Sequence, residues 1–260
     1  MNFPQRFFEP KNGITLRLVL AGLIFYGLLF THAGFAQEEW REMEEMPTAR
    51  ARFTTSVVAG KIYAIGGSPN LRTVEMYDPM KDKWVGKRGM PTGRSFLTSA
   101  VVNGKIYVIG GGDNGGASDI VEEYDPVTDK WEDKADMPIK ISGARAGAVD
   151  GKIYVMGGNK DNAPASDVYE YDPIADIWTQ KSSMPTTRTN FDIGVANNKI
   201  YALGGLERRG PKFTSNMEEY DPKADTWTQK KNMPVARINF GACVANGSLY
   251  AIGGLSLIHI

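Results

Sequence analysis

The chain has one cysteine, two histidines and no excess of either charge, and each shortage closes off a class of activity. Cys243 has no second thiol in its own chain, so no internal disulfide can form. The histidines are His32, in an apolar N-terminal run, and His259, at the C-terminal end. A Ser-His-Asp triad, a Cys-His pair or a His/Cys zinc cluster cannot be assembled from these. No catalytic residue, metal or cofactor is therefore expected. Thirty basic against 30 acidic side chains give zero formal net charge, which argues against a nucleic-acid surface that must neutralise many phosphates. Asp113-Asn114 and Asp161-Asn162 fit no spaced calcium-ligand pattern and read as turns.

Long runs of strongly apolar residues are also missing, with one exception. Arg6, Lys11 and Arg17 precede a run from Leu18 to Gln37 without a formally charged residue, apolar from Leu18 to Phe30 and ending Ala33-Gly34-Phe35-Ala36. A basic region, an apolar region and a small-residue site in that order read as a secretory signal peptide over residues 1–36. The alternative is an uncleaved membrane anchor over residues 18–36, since the run is only just short of spanning a bilayer. The expected location is secreted or periplasmic, and membrane-attached only if the segment stays on. Cleavage would leave 27 basic and 29 acidic residues.

What the chain has in abundance is repetition. The octet Gly104 to Gly111, GKIYVIGG, recurs as GKIYAIGG from Gly60, GKIYVMGG from Gly151, NKIYALGG from Asn198 and GSLYAIGG from Gly247. Gly pairs stand at Gly66-Gly67, Gly110-Gly111, Gly157-Gly158, Gly204-Gly205 and Gly253-Gly254; tryptophans stand at Trp40, Trp84, Trp131, Trp178 and Trp227. Met-Pro begins at Met46, Met90, Met137, Met184 and Met233, and Tyr-Asp-Pro at Tyr77, Tyr124, Tyr171 and Tyr220. The glycine, tryptophan and Met-Pro series all step by 44, 47, 47 and 49 residues. All the length variation falls between Gly-Gly and Tyr-Asp-Pro, so that segment is a solvent-facing loop.

Each unit carries four strand signals. In the second they are a (Phe96 to Val102), b (Lys105 to Ile109), c (Ile120 to Tyr124) and d (around Trp131). Asn103-Gly104 suits a type I′ hairpin, and Asp125-Pro126 turns c into d. Four antiparallel strands per unit of about 47 residues, repeated around a circle, make an all-β propeller blade. Ten residues before each Gly pair stand Ser56, Ala100, Gly147, Gly194 and Cys243, all small, as blades crowding a common axis require. Each tryptophan is placed in the wedge between neighbouring blades, and Cys243 is read as packed.

Gly-Gly, then an acidic residue near Tyr (Glu75, Glu123, Glu170, Glu219), then Trp seven residues after that Tyr, resembles the kelch repeat. The likeness runs from Trp40 to Gly254. It implies a kelch β-propeller over residues 37–254, with residues 255–260 an unmatched tail. Four complete blades are expected, with Trp40 on an orphan d strand and Met233 to Gly254 supplying only a and b of a split fifth blade. An open ring exposes a sheet edge, so the expectation is a chain cut from a six-bladed propeller.

In an up-and-down blade the d-to-a and b-to-c connections emerge together, which makes that face the binding face. At its mouth the units differ. Arg52, Phe96, Gly143, Asn190 and Asn239 occupy one series of positions; Thr54, Thr98, Arg145, Asp192 and Gly241 occupy another, two residues on. The candidate ligand contacts are Arg52, Phe96, Arg145, Asn190, Asp192 and Asn239. In animal kelch adaptors this region contributes arginines that grip acidic peptides, and the resemblance places Arg52 there. By contrast Arg50, Arg94, Arg188 and Arg237 recur four residues after Met, with Ile141 in the third unit, and read as structural.

The resulting expectation is a monomeric, non-catalytic module binding a protein or glycan through this loop face. The alternative is a cofactor-free sugar mutarotase or epimerase like the periplasmic sialic-acid mutarotases. Its acid, base and charge would come from Arg52, Arg145 and Asp192.

Overall fold

The computed structural model describes residues 41–113, 116–207 and 212–256. Trp40, the segment 1–36 and the end of the tail lie outside these. Blade 1 is β1 (Thr54–Val58), β2 (Lys61–Ile65), β3 (Val74–Asp78) and β4 (Lys83–Lys87). Blade 2 is β5 (Thr98–Val102) and β6 (Lys105–Ile109), then a small ribbon, β7 (Gly112–Asp113) with β8 (Gly116–Ala117), then β9 (Val121–Asp125) and β10 (Lys130–Lys134). Blade 3 repeats this with β11 (Arg145–Val149), β12 (Lys152–Met156), the ribbon β13 (Asn159–Lys160) and β14 (Ala163–Pro164), β15 (Val168–Asp172) and β16 (Ile177–Lys181). Blade 4 is β17 (Asp192–Ala196), β18 (Lys199–Leu203), β19 (Met217–Asp221) and β20 (Thr226–Gln229), and a hairpin follows, β21 (Gly241–Ala245) with β22 (Ser248–Ile252). Each blade is one antiparallel four-stranded sheet in chain order, and the hairpin is a two-stranded sheet. Among the described residues no helix is long and apolar enough to cross a membrane.

The a-to-b hairpins are tight because both turn residues adopt positive φ: Ala59-Gly60 at 48° and 72°, Asn103-Gly104 at 52° and 76°, Asn246-Gly247 at 50° and 72°. These angles are those of a type I′ turn, whose twist matches the strands it joins. Strand a is shorter than expected. β5 begins at Thr98 because Phe96 has φ 53° and leaves the extended region. β9 likewise runs one residue later than expected at each end. Asp161 and Asn162 have φ of 49° and 62°, which is the turn read from their sequence; Asn114 lies outside the described residues.

The core sits between blades rather than within them. One apolar cluster joins Tyr107 and Ile109 of blade 2 to Ile153, Val155 and Tyr171 of blade 3. A second joins Tyr154 and Met156 to Ile200 and Tyr220, and a third joins Tyr63 and Ile65 to Ile106 and Tyr124. Alternation along each b strand explains this: successive side chains face opposite neighbours. Near the axis the small residues are obligatory. A Cβ on Gly194 would stand 2.2 Å from Leu249 Cδ1, and one on Gly147 2.9 Å from Val195 Cγ2. Cys243 departs from this series: it is exposed rather than packed, because among the described residues no sheet follows its hairpin.

Blades are fastened at the rim by a two-point clamp on the backbone. Trp131 Nε1 donates to Arg88 O at 2.8 Å, and Arg88 N donates to Asp129 Oδ1 at 3.0 Å. Trp178 and Asp176 hold Ala135 in the same way, and Trp227 and Asp225 hold Ser182. Trp84 and Asp82 hold Glu44. The tryptophans are half-buried, each packing against the preceding Tyr of its own blade at ring distances of 4.9–5.0 Å. They span the wedge through this hydrogen bond, and Trp131, Trp178 and Trp227 also pack against the clusters shared between blades.

Candidate functional site

The d-to-a and b-to-c connections meet on one face. Isolated bridges tie Ala51 to Ser68, Ser95 to Gly112, Ser142 to Asn159 and Thr189 to Leu206 within blades, and Ser118 to Ile141 and Ala165 to Arg188 between them. Gly pairs make this possible. A Cβ on Gly111 would stand 2.7 Å from Ser95 O and 2.9 Å from Leu97 Cβ, and its φ of 91° suits glycine.

Beneath this network lies the repeated arginine. Arg94 is buried and donates to Gly110 O at 2.6 Å, Ile120 O at 2.9 Å and Glu122 Oε2 at 2.5 Å. Arg188 repeats the pattern on Gly204 O, Asn216 O and Glu218, and Arg50 on Gly66 O, Thr73 O and Glu75. Each guanidinium thus caps the carbonyls where strands b and c part, and a buried carboxylate balances its charge. In blade 3 both partners change together. Ile141 replaces the arginine and Tyr169 the glutamate, and both are buried in one apolar cluster.

The acidic residue beside Tyr, treated in the sequence as one feature, is two. Glu75, Glu122 and Glu218 stand two before Tyr and take the arginine. Glu123 and Glu170 stand one before it, face the other way and take Lys105 and Lys152 at 2.5 and 2.6 Å. The parity of a strand separates them.

At the mouth, Arg52, Phe96, Gly143, Asn190 and Asn239 share one conformation, with φ between 52° and 65°. Their backbones link blade to blade: Phe96 N donates to Arg52 O at 2.8 Å, Gly143 N to Phe96 O at 2.7 Å and Asn239 N to Asn190 O at 3.0 Å. Left-handed backbone at a Phe or an Arg is disfavoured, and such residues concentrate at functional sites. These five residues, with Arg145, line a cavity of about 280 Å³. The Arg52 guanidinium stacks over the Phe96 ring at 4.5 Å, with both side chains exposed.

Asp192 sits below, in a second cavity of about 320 Å³ that Arg145 also lines. Arg145 Nε donates to Asp192 Oδ1 at 2.9 Å, and Ala242 N donates to Oδ2 at 2.7 Å. Both carboxylate oxygens are therefore engaged. Thr54, Ser99 and Ser56 hydroxyls form a short chain along the same wall, at 2.7 and 2.9 Å. The structure gathers five of the six candidate residues around one cavity, and Asp192 lines the second, which shares Arg145 with it. Sequence reasoning missed the left-handed ring, although an Asn at two of its five positions hints at it.

The family model for the KLHDC2/KLHL20/DRC7 Kelch-repeats domain matches residues 35–205, and the Kelch motif matches residues 187–234. The chain belongs to the kelch-repeat family. Human Kelch-like protein 33 is 40% identical over 52 residues, a match covering 19% of this chain and 10% of that relative. The solved structure of YjhT superposes with a TM-score of 0.73 over 82% of this chain and 75% of its own, at 22% identity, which is a likeness of fold. Four blades and a hairpin therefore form a kelch propeller arrangement.

Proposed function

We propose that this kelch propeller is a non-catalytic binding module, and that its mouth takes an extended peptide or a glycan bearing a carboxylate. The convergence of side chains that differ from blade to blade on one opening carries this reading. The repeated residues are spent on blade structure: arginine on carbonyls, tryptophan and aspartate on the neighbouring backbone. Arg52, Phe96, Asn190 and Asn239 come from four different units, and they offer a guanidinium, a ring face and two amides around one cavity. A guanidinium already stacked on a ring loses little freedom when it grips a carboxylate.

A screen of the full chain against peptide and glycan arrays tests this. A ligand should emerge whose affinity falls at least tenfold with Arg52→Ala and again with Asn190→Ala. Silence on both arrays, or binding indifferent to these changes, would overturn it. The mutarotase alternative has less behind it, because such chemistry needs both an acid and a base and Asp192, the one carboxylate lining either cavity, is paired with Arg145. Anomer exchange of sialic acid followed by NMR is expected to stay at the buffer rate. We further propose that the chain is exported and cut after Ala36, which the mass of the exported protein checks.

A further inference from the structure

Blades built on one plan let each seam between neighbours serve as a control for the others. Where the outer strands of blades 1 and 2 meet, a cavity of about 430 Å³ is lined by Arg72, Arg88, Gly89, Pro91, Lys130 and Trp131. Arg72 stands at the end of the b-to-c loop of blade 1, Arg88 follows β4, and Lys130 and Trp131 begin β10. No carboxylate lines this cavity, and among the described residues none forms an ion pair with Arg72, Arg88 or Lys130. The acid that senses Arg88 is Asp129, which is already engaged by the Tyr124 hydroxyl and by Arg88 N. Like charges gathered without a counter-charge repel one another.

The next seams show that blade construction needs none of these cations. Backbone bonds mark the equivalent places: Met90 N donates to Arg72 O, Met137 N to Asp119 O and Met184 N to Ser166 O. The tryptophan clamp likewise falls on Arg88, Ala135 and Ser182, and the residue before that tryptophan is Lys130, Ile177 or Thr226. Arg-Arg-Lys in the first seam thus stands against Asp-Ala-Ile in the second and Ser-Ser-Thr in the third. The backbone is adapted too, since Gly89 and Gly93 occupy places that hold Asp136 and Lys140 in the next unit. A Cβ on Gly89 would lie 3.0 Å from Arg72 O, and one on Gly93 3.1 Å from Arg72 Cγ. These glycines let the loop that carries Arg72 lie against the d-to-a connection, where Arg72 Nε donates to Met90 O at 2.7 Å. The side chain is anchored there, and its terminal nitrogens have no partner among the described residues.

We propose that this seam binds a sugar carrying a sulfate or phosphate ester, the ester held by Arg72, Arg88 and Lys130 and the sugar ring laid on Trp131. Guanidinium forks match the oxygens of such a group and form charge-assisted bonds with it, and a concave wall of one charge concentrates the field. The Trp131 ring is stacked on Tyr124 at 4.9 Å and its N–H is spent on Arg88 O. What it presents to the cavity is apolar ring surface, whose negative face suits the C–H bonds of a pyranose. The site shares no lining residue with the cavities at the mouth and stands independently of the reading given for them.

Calorimetric titration of the full chain with N-acetylglucosamine 6-sulfate and with N-acetylglucosamine 6-phosphate tests this. At least one ester should saturate a single site, the tighter of the two identifying the group, and the Trp131 indole signal should shift in proton–nitrogen correlation spectra. Arg88→Ala and Lys130→Thr install residues that other seams already carry, at Ala135 and Thr226. Each should leave the melting midpoint in place and weaken ester binding about tenfold or more, whereas Arg52→Ala at the mouth should leave it unchanged. Absence of saturation by both esters, affinity indifferent to both seam variants, or shifts at other indoles with none at Trp131 would overturn the proposal. So would binding of unesterified N-acetylglucosamine, or of inorganic sulfate, as tight as that of the esters.

Discussion

Arg94 and Glu122 are each about 1% exposed and separated by 2.5 Å, so neither charge has water to fall back on. Removing one leaves the other buried and unpaired, at a cost of about 3–5 kcal/mol. Arg94→Ala is therefore expected to lower the thermal midpoint sharply. The third blade supplies a counter-experiment, since it fills the same two places with Ile141 and Tyr169. The double change Arg94→Ile with Glu122→Tyr should recover most of the loss. Circular-dichroism melts of the single and double variants decide it, and a double variant no better than Arg94→Ala would refute the equivalence. The exchange was half legible in the sequence. Ile141 visibly breaks the arginine series, but its partner Tyr169 is recognised only when residues one and two before Tyr are assigned to opposite faces of the strand. Cys243 misled for a different reason: its place in the repeat is a packed one, and burial belongs to the neighbour as much as to the residue.

At the level of strands and turns, the clamp contributes to the response to pH. The Tyr124 hydroxyl is pushed well above its usual range by burial and by its bond to Asp129, and the Asp129 carboxyl is held low, first by the Tyr124 hydroxyl. Tyr171 and Asp176 behave alike. A depressed carboxylate contributes stability that is complete above its unfolded pKa of about 4 and is lost as pH falls further. A raised tyrosine contributes stability that is complete below about pH 10 and is lost above it. Melting temperature plotted against pH should be flat between those limits and fall on both sides; Asp129→Asn with Asp176→Asn should make the acid limb shallower, other depressed carboxylates such as Glu123 and Glu170 keeping the rest. Trp131→Phe keeps the ring stack and removes one hydrogen bond to Arg88, so a loss of about 1 kcal/mol is expected in denaturant titrations. Strands and hairpins were readable from alternation and Asn-Gly pairs. The left-handed ring was not, because Arg52 and Phe96 adopt a conformation that their own side chains disfavour and that only the blade-to-blade bonds hold in place.

Taken as a whole, the molecule is a row of similar units in which each packs on the next, so local stability should follow the number of neighbours. Native-state hydrogen exchange is expected to be slowest in β6 and β12, which are covered on both faces, and fastest in β22, whose Tyr250 and Ile252 are bare. Equal protection along the row would contradict a core shared between blades. The propeller arrangement and the loop face followed from the spacing of Gly-Gly, Trp and Tyr-Asp-Pro together with four strand signals per unit and the resemblance to the kelch repeat. The ligand did not, because repetition records what every blade needs and is silent about what only one of them does.

The clamp also has a direction. Arg88, Ala135 and Ser182 are each seized by tryptophan and aspartate lying about forty residues later, so a blade is locked only once its successor has been synthesised. Assembly is therefore expected to run the same way as translation, with every newly made unit acting as a latch upon the one before. A chain paused midway would carry a finished stem and a single loose growing tip, rather than disorder spread along its length.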